Sequence, residues 1–116
     1  MSNAASLVDD RTRAIVVNNP SNPCGSVYSR DHLQEIVDFA HRNRLPIIAD
    51  EIYDDMVFAD QSFVPIAEVS SQVPVLAIGG ISKKYVAPGW RLGWVIIHDR
   101  EDRFREVSWH QIQYLF

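Results

Sequence analysis

Long apolar runs, cysteine and excess positive charge are all scarce in this sequence. Apolar stretches are interrupted within about eight residues, against the roughly 20 that a bilayer-spanning helix requires, so no membrane partner is expected. Cys24 is the single cysteine. It excludes an internal disulfide and makes a reducing compartment the default. The expectation is cytoplasmic, with a mitochondrial location left open on the reading that the native N-terminus lies outside this sequence. A net charge of −4 offers no basic stripe to a phosphate backbone, which argues against nucleic acid. No targeting leader opens the chain, and residues 1–5 read as a cloning remnant. Repeats, linkers and low-complexity tracts are lacking too. His32, His41, His98 and His110 have no ligand spacing, and Cys24 has no histidine or second cysteine nearby, so no metal is expected.

The 116 residues are 47% hydrophobic and 22% charged, enough for one modest core. Residues 14–18 (AIVVN) form a β-branched run ended by Asn-Pro, which reads as a buried strand. Ser29 can cap a helix with Asp31 in its first turn. Leu33, Ile36, Val37 and Ala40 then recur at spacings of three and four, and the helix should stop near Asn43. Residues 45–49 (LPIIA) are a second strand with Pro46 near its start. Strand, helix and strand in this order predict a parallel, right-handed βαβ unit. Residues 73–78 and 92–98 are two further strands. The glycine-containing link between them lacks helical periodicity, so the fourth strand is expected to run antiparallel. Phe104, Val107 or Ser108, Ile112 and Leu115 suggest a final helix. The fold class is α/β with a mixed, mostly parallel sheet.

Polar clusters follow three of these strands. Asn22 lies after the first, Asp50 and Tyr53 after the second, and Lys83 after the third beyond Gly79-Gly80. Ligands of α/β sheets gather outside the carboxyl ends of strands, so the three clusters can converge on one molecule. Each also has a plainer reading: a rigid Asn-Pro turn, an aspartate opening a turn, a tyrosine in a short helix from Glu51, a solvated loop lysine. Trp90 and Trp94 are expected to pack rather than stack on a ligand. Glu51 and Asp54 are expected to face solvent or local partners.

A lysine in a glycine-lined pocket loses its proton more readily than in water, and the neutral amine forms an imine with a carbonyl. Arg91, eight residues on, offers a planar fork for phosphate or carboxylate. An aspartate can hold a heteroaromatic nitrogen protonated, and a phenol with an amide can bind an ionised ring oxygen. Carbonyl, phosphate, pyridinium nitrogen and phenolic oxygen occur together in pyridoxal phosphate.

The stretch Gly80-Ile81-Ser82-Lys83 followed by KYVAPGWRLG resembles the cofactor-lysine signature of fold-type I aminotransferases of class I/II. NNPSNPCGSVYS, PIIADEIYDDMVF and PGWRLGWVIIHDR resemble the tyrosine-specific branch most closely. The resemblance covers residues 7–104, interrupted at 60–74. It implies that residues 6–116 are part of a pyridoxal-phosphate-binding large domain with three-layer α/β/α architecture. It further implies that Lys83 carries the cofactor and moves the proton at the substrate α-carbon. Asp50 would pair with the pyridine nitrogen, Asn22 and Tyr53 with the ring oxygen, and Arg91 with the phosphate. The Asn22-Pro23 peptide resembles one that is often cis.

The implied function of the parent protein is transfer of the amino group of tyrosine, or another aromatic amino acid, to 2-oxoglutarate by a homodimer. Amino acids and 2-oxo acids are the implied small-molecule partners. Two positions depart from the wider pattern: Gly80 stands where a phosphate-binding serine is common, and Lys84-Tyr85 where Arg-Trp is frequent. The stacking aromatic, the backbone phosphate donors, the carboxylate-binding arginine and the second subunit have no counterpart here, so the segment alone is expected to be inactive. An aspartate or alanine aminotransferase, a carbon–sulfur lyase, or a non-catalytic truncated product remain alternatives.

Overall fold

The computed structural model describes residues 2–104; the end of the predicted final helix lies outside them. Strand β1, Ile15–Asn18, leads through a turn into helix α2, Arg30–Asn43, and back into strand β2, Ile47–Asp50; a one-turn helix α1, Ser2–Ala5, precedes them. The predicted cap is present: Ser29 is extended and its side chain accepts the His32 N–H, with Asp31 in the first turn. An acid there opposes the positive end of the helix. At the other end Arg44 turns left-handed, and its N–H reaches the carbonyls of Ala40 and His41, closing groups that a helix leaves unpaired.

A short helix α3, Ile66–Val69, precedes β3, Val75–Gly80, which runs directly into the one-turn helix α4, Ile81–Lys84; a 3-10 turn, Pro88–Trp90, then leads to β4, Gly93–His98. The sheet order is β1-β2-β3-β4. The first three strands are parallel and β4 is antiparallel to β3, with Val75 opposite His98 and Gly80 opposite Gly93. The antiparallel pairing follows from the link between them, which holds only single turns and no crossover helix.

Register sorts the side chains onto two faces. Val17, Ala49 and Ala77 align on one, as do Ile47 and Val75, and all five are buried. Leu33, Ile36, Val37 and Ala40 of α2 pack there with Ile66 and Ala67 of α3. On the other face Val16, Ile48, Leu76 and Ile97 align; Val16 is 69% exposed and the other three are half-buried. The helices of the described residues cover one face only, so the third layer of the expected architecture is not among them.

Candidate active site

The β1 end is built by amides. Asn18 Nδ2 lies 3.5 Å from the Asp50 carbonyl, while its Oδ1 accepts the Asn22 N–H at 2.8 Å. Asn19 donates its N–H to the same Asp50 carbonyl at 3.1 Å, and its Oδ1 accepts the Tyr28 N–H at 2.8 Å. The turn between them carries cis peptides at Asn19-Pro20 and Asn22-Pro23, and Gly25 sits at φ 67°. A left-handed residue is needed there because the Gly25 N–H closes onto the Ser21 carbonyl and the Ser21 N–H onto Ser26. These contacts hold the Asn22 side chain at the strand end. Asn18 and Asn19 were missed as positioning residues in the sequence; the paired asparagines after a strand were the available signal.

At the β2 end the Asp50 carboxylate accepts the Ile52 N–H at 3.4 Å. The chain then winds through a turn in which Asp54 N–H bonds Glu51 O and Met56 N–H bonds Tyr53 O. The turn points the Tyr53 hydroxyl at Asn22, whose Nδ2 donates to it at 3.2 Å. Glu51, expected to face solvent or local partners, takes a partner instead of solvent. Half-buried, it accepts the Ile66 N–H at 2.9 Å and so caps α3, which has no side-chain cap of its own. Burial raises its pKa above the usual carboxylate range; the Ile66 bond lowers it and Asp54 raises it further.

At the β3 end a Cβ on Gly79 would meet the Trp94 indole at 2.5 Å, and one on Gly80 would stand 3.3 Å from the Leu92 carbonyl. Gly79 therefore lets β4 and Trp94 close over the strand, and a side chain at Gly80 would be a tight fit. Lys83 follows on α4, its Nζ 5.7 Å from the Tyr53 ring centroid, within cation–π range. Lys84, next in sequence, turns instead to Asp55 at 2.5 Å and Asp54 at 3.8 Å. Arg91 is left-handed at φ 51°; its Nη1 donates to the Pro88 carbonyl at 3.1 Å.

Asn22, Tyr53 and Lys83 thus meet from three strand ends. Among the described residues, Asp50 stands on the Tyr53 turn without a side-chain hydrogen bond to them, and the Arg91 side chain bonds within its own loop. A carboxylate, an amide, a phenol, an amine and a guanidinium with unused donors match the pyridine nitrogen, ring oxygen, carbonyl and phosphate of pyridoxal phosphate. This donor set fits that cofactor in kind. The buried Asn19 Nδ2 has no hydrogen-bond partner within the described residues.

The family model for aminotransferase class I and II matches residues 1–112. Bovine (Bos taurus) tyrosine aminotransferase is 59% identical over 99 residues, 85% of this chain and 22% of its own length. The structure of alanine aminotransferase from Pyrococcus furiosus superposes with a TM-score of 0.90 at 38% identity, covering 98% of this chain and 28% of that one. Tyrosine aminotransferase from Leishmania infantum gives 0.86 at 45% identity, over 89% of this chain and 25% of that one. The chain therefore spans between about a fifth and just over a quarter of these proteins' length.

Proposed function

The chain belongs to the aminotransferase class I and II family, and from that premise we propose that it is the cofactor-holding segment of an aromatic amino-acid aminotransferase. Family membership implies use of pyridoxal phosphate. The meeting of Asn22, Tyr53 and Lys83 at three strand ends is the observation that carries the reading, because each supplies a different contact to one small planar molecule. When bound, the cofactor supplies an electron sink for charge developing at the substrate α-carbon.

The residues divide the remaining work. Lys83 would hold the cofactor at its carbonyl carbon through the side-chain nitrogen, and would take and return the proton at the substrate α-carbon. Asp50 would favour a proton on the pyridine nitrogen through its carboxylate charge. Tyr53 and Asn22 bind the ring oxygen through the phenol hydrogen and the amide. Arg91 gives its unused donors to the phosphate. Groups outside the segment must bind the substrate carboxylate, so the 116-residue chain alone is inactive and the working enzyme is a longer homodimer.

The 59% identity to a tyrosine aminotransferase supports tyrosine as amino donor, and 2-oxoglutarate is the acceptor proposed with it. The test is glutamate formation by the full-length protein from tyrosine and 2-oxoglutarate with pyridoxal phosphate. Faster turnover of aspartate or alanine would replace the substrate assignment. Turnover by the isolated segment at about 1–10³ s⁻¹, as enzymes show, would contradict its incompleteness.

A further inference from the structure

We propose that Lys84 is a positioning residue: its ion pair with Asp55, backed by Asp54, clamps the helix carrying Lys83 to the turn carrying Tyr53. The proposal rests on the functional reading above, since it concerns how Lys83 is aimed. A one-turn helix has no stability of its own, and α4 has no side-chain cap. Consecutive helical residues point about 100° apart. Lys83 lies over the Tyr53 ring while Lys84 reaches Asp55 and Asp54, so the two lysines straddle one turn. After the helix the loop is left-handed at both Val86 and Arg91, and Val86 and Trp90 are exposed; that side offers little to fix the helix.

The pair also assigns different chemistry to two adjacent amines. The hydrogen bond to Asp55, more than the charges of Asp54 and Asp55, raises the pKa of Lys84 and opposes desolvation. Lys84 is tied to two carboxylates, whereas Lys83 has no carboxylate partner among the described residues. Lys84 offsets one of the two carboxylate charges, Asp54 and Asp55, on the turn beside Lys83. The other charged groups on the elements around Lys83 are Asp50 and Glu51 before the turn and Arg91 after the helix.

Exposed ion pairs contribute little to stability, so Lys84→Ala in the full-length protein should leave the melting temperature within about 2 °C. It should lower kcat about fivefold to tenfold with KM nearly constant, the signature of a misaligned reacting group. The bound cofactor's visible absorbance gives a second reading. Lys84→Ala leaves the carboxylates uncompensated beside Lys83 and should move the absorbance titration about 0.3 unit to higher pH. Asp55→Asn removes one negative charge and leaves Lys84 paired with Asp54 alone, and should move it the other way. Lys84→Arg should restore both properties. Unchanged titration and kcat in Lys84→Ala, shifts of the same sign in the two variants, or no rescue by arginine would overturn the clamp. If Lys84→Ala does not fold, Asp55→Asn decides: a downward shift carries the proposal and no shift overturns it. Borohydride labelling of the unaltered protein separates the two ideas. A label away from Lys83 ends the functional reading and the clamp together, whereas a label on Lys83 with an unmoved titration ends only the clamp.

Discussion

The βαβ half of the molecule, residues 15–50, and the β3–β4 half, residues 75–98, are built on different terms. In the first, a capped fourteen-residue helix lies on a buried sheet face, and Leu33, Ala40, Ile47 and Ala49 are fully enclosed. In the second, the link between strands contains only single turns, two left-handed non-glycine residues, and exposed Tyr85, Val86, Trp90 and Leu92. The first half is held by local propensity and burial. The second depends on contacts to other segments, and it carries Lys83 and Arg91. The contrast separates a scaffold from reactive groups mounted on it.

Substitutions should divide along the same line. Lys83→Ala should reduce transamination by the full-length protein by about 10²–10⁴-fold while urea unfolding stays near the original; a large stability loss would break the division. Leu33→Ala should do the reverse, costing about 2–5 kcal/mol of unfolding free energy through lost burial and a cavity, with Lys83 still able to take a borohydride label. Tyr53→Phe should weaken cofactor binding roughly tenfold by removing a hydrogen bond to a charged oxygen, measured by equilibrium dialysis. Ser29→Ala should cost about 1 kcal/mol, the usual value of a helix N-cap, visible in the unfolding midpoint.

The smallest effect concerns Glu51, which ties the Tyr53 turn to α3. Its folded pKa is raised above 4.5, so above that pH the folded state holds this proton more tightly than the unfolded state. Stability from this group is present at low pH and is lost as pH rises through the folded value. Glu51→Gln keeps an acceptor for the Ile66 N–H and removes the titration. The variant should therefore gain stability on the original as pH rises from about 4.5, then level off; a difference that is flat or shrinking contradicts the burial argument.

The scaffold was legible because its signals are local. Ser29, Asp31 and the spacing of Leu33, Ile36, Val37 and Ala40 specify α2 without reference to the rest of the chain, and the short link before Leu92 foretold an antiparallel β4. Boundaries moved by about two residues where hydrogen bonding rather than hydrophobicity decides them: β2 begins at Ile47 after Pro46, and β3 continues through Gly79 and Gly80 because Trp94 needs the space. The candidate site was legible as residue types at strand ends. What escaped was the cross-linking between segments far apart in sequence: Asn18 and Asn19 to Asp50, Glu51 to Ile66, and Lys84 to Asp55. Glu51 and Asp54 were expected to face solvent or local partners, and the sequence did not show which partners. The half-exposed face of Val16, Ile48, Leu76 and Ile97 reads identically to the covered one in sequence, since both alternate the same β-branched and aliphatic types.

The central claim is that Lys83 is the amine that holds pyridoxal phosphate. Borohydride reduction of the full-length protein with bound cofactor, followed by protease digestion and mass analysis, tests it directly. A single pyridoxyl group on the peptide containing Lys83, lost in Lys83→Ala, is the predicted result. A group on Lys84 or on a lysine outside residues 81–84 would contradict it.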